Sequence, residues 1–172
     1  MQKSRLLIFA AFAALLGLAA TAAQAVVVTR LTAQEAALHK GSTHLVVLTA
    51  ADITETTVNT AQVIPVFAID DKMGVELVYM KLVTPFEDAS DATSIITAIE
   101  VGDGADPNHL LASTELNVNG TEIDAAFGID IRQMYTTADN VDVTVLAPTT
   151  GDFLYLIDTG EVHLYFTLYD AR

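Results

Sequence analysis

The sequence predicts an all-β chain: an antiparallel β-sandwich or jelly roll with one short helix near its start. Three observations carry this. From His44 onward, apolar and polar residues alternate with period two, the mark of half-buried strands. Gly, Asp, Asn and Thr interrupt that alternation at intervals of roughly ten to fifteen residues, as sandwich turns do. No strand–helix–strand spacing occurs in the 172 residues, which argues against an α/β enzyme.

The elements follow in order. Lys3 and Arg5 precede an unbroken apolar run at 6–18, and Ala23-Gln24-Ala25 places small residues where a signal peptidase cuts. Residues 1–25 therefore read as a secretory signal, too short in its apolar core for the ~20 residues of a membrane-spanning helix. Cleavage would leave Val26 as the first residue and, with Lys3 and Arg5 removed, take the charge from −14 to −16. Segment 26–43 is expected to carry the helix: Thr32 and Glu35 form a capping box, and Lys40-Gly41 closes it. The β-sandwich is expected over 44–172. Its strands are placed at 44–49, 58–69, 75–83, 94–101, 110–118, 141–146, 153–157 and 161–169. Pro65 directs the second toward an edge or a bulge. Asn119-Gly120 predicts a type I′ hairpin that folds 115–118 onto 121–124. Val75, Leu77, Tyr79 and Lys81 are expected on one face of the third strand, and Glu76, Val78, Met80 and Leu82 on the other.

Composition excludes several functions. With no cysteine, thiolate catalysis, Cys-ligated zinc, iron–sulfur clusters and disulfides are absent. A charge of −14 opposes binding to nucleic acid or anionic lipid. No second apolar run reaches membrane length, so no membrane insertion of the mature chain is expected. Among the serines, Ser42, Ser90, Ser94 and Ser113, none lies in a nucleophile elbow. No Gly-rich loop leads into Lys and a helix for phosphate. The expected class is non-enzymatic.

The four histidines, His39, His44, His109 and His163, show no HxH or HxxxH pairing, and each is expected as a solvated or hydrogen-bonded imidazole rather than a metal ligand. The run Gly102-Asp103-Gly104-Ala105-Asp106-Pro107-Asn108 gathers three oxygen side chains around a turn. Asp103, Asp106 and Asn108 are the candidate calcium ligands, against the alternative of an Asx turn bonding its own backbone. No other cofactor is implied. Glu87, Asp88 and Asp91 read as a solvated acidic loop. Tyr79, Tyr155, Phe166 and Tyr169 are candidates for an apolar interface, with a core role favoured for Phe166.

The runs YMKLVTPFEDASD at 79–91, VGDG at 101–104 leading to LLASTELNVNGTE at 110–122, and IDTGEV at 157–162 resemble small structural proteins of tailed-phage virions. These are of the capsid-decoration or head-fibre kind, and the resemblance covers about 45–170. It implies a β-sandwich subunit that assembles with itself or with a shell or surface protein, as a homo-oligomer, in a virion. The export pattern at 1–25 implies instead a periplasmic or extracellular protein, and with it the alternative of an exported binding or adhesion module.

Overall fold

A computed structural model describes residues 26–88, 98–116, 122–124, 132–148 and 153–170. The signal-like segment 1–25, Asp91 and the Asn119-Gly120 pair lie outside them. Among the described residues are ten strands and one α-helix: β1 (Val27–Arg30), α1 (Ala33–Leu38), β2 (His44–Thr49), β3 (Gln62–Ile69), β4 (Met73–Glu87), β5 (Ala98–Gly102), β6 (Leu111–Glu115), β7 (Glu122–Asp124), β8 (Arg132–Met134), β9 (Asp139–Val145) and β10 (Thr159–Asp170). They form two antiparallel sheets, the all-β sandwich that the alternation predicts. The larger runs β1-β2-β10-β4-β7, with β8 also on β4; the smaller runs β3-β9-β5-β6.

β4 and β10 are the longest strands and form the middle of the larger sheet, paired from Thr159↔Glu87 to Asp170↔Met73. β10 alternates strictly, burying Val162, Leu164 and Phe166. β4 does not. Its core residues are Val75 and Leu77, then Met80 and Leu82, then Phe86. The register explains the change, because Phe166 stands opposite Leu77 while Tyr165 stands opposite Tyr79, leaving Val78 as an extra residue. A bulge of one residue shifts the two-residue period by one and reverses which face later side chains occupy. Neither face expected from the sequence is the core face throughout, and Tyr79 is turned to the outside of the sheet.

β3 uses the same device. Pro65 sits opposite Asp142 and Phe67 opposite Val141, so the bulge at Val66 moves the buried set from Ile64 to Phe67 and Ile69. β3 is also an edge strand, so Pro65 removes a donor where its loss costs least. Across the sandwich, Phe67 meets Phe166 edge to face at 4.9 Å, a preferred ring geometry.

Four expectations are corrected. The second strand begins at Gln62 rather than Val58, because the chain takes a left-handed turn at Asn59. Gln62 then staples the preceding loop: its Oε1 accepts from the Thr54 and Glu55 amides and its Nε2 donates to the Asp52 carbonyl. The run 153–157 is no strand but a 3₁₀ turn at Leu154–Leu156, whose three-residue repeat buries Leu154 and Ile157 together and exposes Tyr155. Among the described flanks of Asn119-Gly120, Glu115 and Glu122–Asp124 do not pair with each other. Glu115 pairs with Ala98 in the smaller sheet and Glu122–Asp124 pairs with β4 in the larger, while the Phe86 amide already bonds the Leu116 carbonyl. Finally, Glu87 ends β4 and Asp88 is buried, so neither belongs to a solvated loop.

Gly160 is required twice over. Its φ is +145°, and a Cβ there would lie 2.5 Å from the Phe86 ring, itself fully buried. Gly160→Ala is expected to lower the unfolding free energy by about 2 kcal/mol or more, from strain and overpacking together, read as a shift in denaturant midpoint. Combining it with Phe86→Leu should cost less than the two separate losses added.

Candidate functional site

The outer face of the larger sheet carries the densest group of polar aromatic and imidazole side chains. The bulge at Val78 sets Tyr79 beside Tyr165 of β10, with ring centroids 4.3 Å apart and planes 8° from parallel. Both rings are nearly covered, at 5% and 4% exposure. The cover comes in part from the end of α1, where His39 stacks on Tyr165 at 4.4 Å and its Nδ1 shares a hydrogen bond with the Tyr79 hydroxyl. Lys40 Nζ lies 4.8 Å from the centre of the Tyr79 ring, a cation–π contact.

The local sequence delivers His39 to that place. Thr32 and Glu35 close the expected capping box, with the Glu35 amide donating to Thr32 Oγ1 and the Thr32 amide to Glu35 Oε2. The Thr32 hydroxyl, which donates to Glu35 Oε2 at 2.7 Å, and then the Thr32 amide hold the Glu35 carboxyl below its ordinary pKa. The helix then ends with Lys40 and Gly41 both at positive φ, and the Gly41 amide returns to the Ala36 carbonyl. Buried Ser42 donates to the His39 carbonyl at 2.6 Å, and Thr43 ties the turn to β10 through the Phe166 carbonyl and the Leu168 amide. No residue within α1 is buried. The helix is therefore fastened at its ends rather than by an apolar face.

Further along β10, Glu161, His163 and Tyr165 share the outer face by strand periodicity. Glu161 Oε1 lies 2.6 Å from His163 Nε2, and the Tyr165 hydroxyl lies 3.5 Å from His163 Nδ1. An ionised carboxylate only accepts, so Nε2 carries the proton and Nδ1 of the neutral ring is left as an acceptor. Glu161 and His163, two apart on β10, thus come together, and His163 is one of the hydrogen-bonded imidazoles. Period two along one strand was the signal. Yet among the described residues no group of three His, Asp or Glu is placed to hold a metal ion.

The expected calcium residues occupy the far end of the smaller sheet. Asp103 is buried at 7% exposure, and its Oδ1 accepts from both the Ala105 and Asp106 amides at 2.9 Å. This is the Asx-turn geometry. Asp106 stands 3.7 Å from His109 Nδ1, and Asn108 is exposed. The loop folds tightly over Gly102, where a Cβ would meet the Asp106 carbonyl at 2.0 Å. Close by, burial raises the Tyr135 phenol and the Asp142 carboxyl above their ordinary pKa values, and neighbouring Asp103 and Asp139 add to both shifts. Of the aromatic interface candidates, Tyr155 is exposed, Phe166 lies in the core, and Tyr169 covers Gly74.

The remaining feature is the N-terminal segment, to which the sequence reading assigned no strand. β1 pairs with β2 from Val27↔Val47 to Arg30↔His44 and forms the edge of the larger sheet. All four of its residues are exposed. Because neighbours along the strand point to opposite faces, β1 overhangs the smaller sheet and is wet on both sides. Val27 is 60% exposed, and Leu38 of the adjoining helix 75%. Among the described residues no helix is long and apolar enough to cross a membrane. Comparison of the chain with protein-family models, curated proteins and solved structures gives no match.

Two titrations should be visible in the pH dependence of stability. Burial, then the charge of Arg30, lowers the His44 pKa from 6.5, so the unfolded chain binds protons first as pH falls and stability decreases below about 6.5. Asp142 acts in the opposite sense. Its folded pKa is raised from 3.8, so acidification from that raised value down to 3.8 adds stability. Thermal melts from pH 8 to pH 4 should show His44→Gln flattening the loss below about 6.5 and Asp142→Asn removing the opposing contribution at lower pH. Identical profiles for wild type and both variants would contradict this assignment.

Proposed function

We propose that this chain is a non-enzymatic assembly subunit, a β-sandwich that joins protein partners through the exposed β1 edge. The partner is another copy of itself or a shell or surface protein. One observation carries the reading: among the described residues β1 is an edge strand paired on one side, to β2, exposed on both faces, with Val27, Val28 and Leu38 exposed. An exposed edge offers a ready row of backbone donors and acceptors to an incoming strand. The other end of the strand order is less inviting, because among the described residues β4 is flanked there by β7 and β8, three residues each.

The outer-face chemistry supports the same view. His39 is engaged by Tyr79 and Tyr165 and His163 by Glu161, while His44, on the inner face of β2 with Val46 and Leu48, bonds its neighbour Thr43. The contacts of His39 join the end of α1 to β4 and β10 and so hold the N-terminal segment on the sheet. The strand-and-turn runs that resemble virion decoration and head-fibre proteins agree with such a role, and the signal-like pattern at 1–25 would place the assembly outside the cytoplasm.

Light scattering after size exclusion, on the purified chain and on extract from the cells that make it, tests the reading. The chain is expected in a species larger than a monomer in at least one of the two. Val27→Lys/Val28→Lys should return it to monomer mass, while stability changes by only about 0.5 kcal/mol per exposed site. Monomer mass in both samples for the unaltered chain would refute the proposal.

A further inference from the structure

The strands of the two sheets divide the positive charge unequally. β3, β5, β6 and β9 contain no Lys or Arg, and they carry Glu100, Glu115, Asp139 and Asp142. Every strand-borne Lys or Arg lies in the larger sheet, one of them at the end of β1. That residue, Arg30, is exposed and has no ion-pair partner among the described residues, in a chain whose net charge is −14. An acidic protein that leaves its edge arginine unneutralised has a cation available for a contact outside itself.

The smaller sheet ends in β3 and β6. β3 is closed to strand addition by Pro65 and its bulge. β6 has no further strand beside it among the described residues: Ala112, Ser113 and Glu115 are exposed, none of its residues is proline, and acids stand at both ends, with Asp106 in the loop before it and Glu115 at its close. A symmetric β1-to-β1 contact would gather two Arg30 side chains on one ribbon, and a β6-to-β6 contact two Glu115. Only the unlike pair is complementary. Arginine on an edge repels its like and selects an acidic partner.

We propose that copies of this chain add head to tail, the β1 edge of one lying along the β6 edge of the next, with Arg30 set against the acid at one end of that strand. The inference rests on the assembly reading and names its partner as a second copy. A contact between two different edges does not close on itself in a pair, so it builds a ring or an open filament rather than a two-fold dimer. Antiparallel addition carries Arg30 to the Asp106 end of β6, and parallel addition carries it to Glu115.

Charge reversal decides the matter. Arg30→Glu is an exposed change that should leave the thermal melt intact and weaken self-association about tenfold or more. A second reversal in the same chain should restore it: Asp106→Arg if the strands run antiparallel, Glu115→Arg if parallel. Mixing Arg30→Glu with the matching single acid reversal, each monomeric alone, should also regenerate the assembly. If the purified chain self-associates but neither second reversal restores the Arg30→Glu protein, this inference is overturned while the assembly reading stands. A purified chain that remains monomeric also overturns it, and the mass in cell extract then shows whether the assembly reading falls with it.

Discussion

The pairing of β4 with β10, broken at Val78 by a residue of β4 that has no partner, is the constraint on which the rest of the molecule depends. Fifteen residues of β4 lie beside twelve of β10, and the surplus of three is taken up at Val78, at Val83 and between Thr84 and Glu87, so that β4 can serve both the core and the outer face. The extra residue at Val78 lets Val75 and Leu77 face inward on one side of the bulge and Met80 and Leu82 on the other. The same slip releases Tyr79 to the outside. Without it, a tyrosine hydroxyl would be driven into an interior of Val, Leu, Ile and Phe side chains, where an unpartnered polar group costs about 1–3 kcal/mol.

From that slip the outer face follows. Tyr79 and Tyr165, placed opposite each other, present a stacked pair wide enough to receive His39, and His39 is the residue with which α1 terminates. A helix of six residues with no buried side chain has little stability of its own. Its capping box, its closing turn and the imidazole wedged against the two tyrosines fix it instead. β1 precedes that helix and, among the described residues, is paired with β2 alone. The position of the exposed edge is thus set by packing on a face that never touches the edge itself.

Much of this was legible in the sequence. Period-two alternation identified β2, β9 and β10, and Thr32 with Glu35 and Lys40-Gly41 identified α1 and its end. Pro65 pointed to an edge or a bulge, and the strand has both. Bulges elsewhere were the main obstacle, since a single residue without a partner leaves no compositional mark while reversing the face of every side chain after it. That is why Tyr79 read as one member of an alternating face. The apolar run at 153–157 was ambiguous by nature, because Phe153, Tyr155 and Ile157 satisfy period two as well as Leu154 and Ile157 satisfy period three. The separation of Glu115 from Glu122–Asp124 was not legible around Asn119-Gly120, because turn chemistry is local whereas the sheet to which each belongs is decided by distant strands. β1 escaped notice because Val27–Arg30 is too short for a pattern and owes its strand form to β2. In the candidate site, the Asx turn at Asp103 was foreseen as an alternative, but the meeting of His39 with Tyr79, forty residues away, was beyond any local pattern.

The most direct test of the central claim is a nuclear Overhauser map of the aromatic rings in solution. The bulge at Val78 predicts cross-peaks joining Tyr79 to Tyr165 and His39, alongside a separate set joining Phe67 to Phe166 through the core. Cross-peaks from Tyr79 to Phe67 or to the buried valines of β9 would place Tyr79 inside the sandwich. The account of the outer face, and of the edge it positions, would then be wrong.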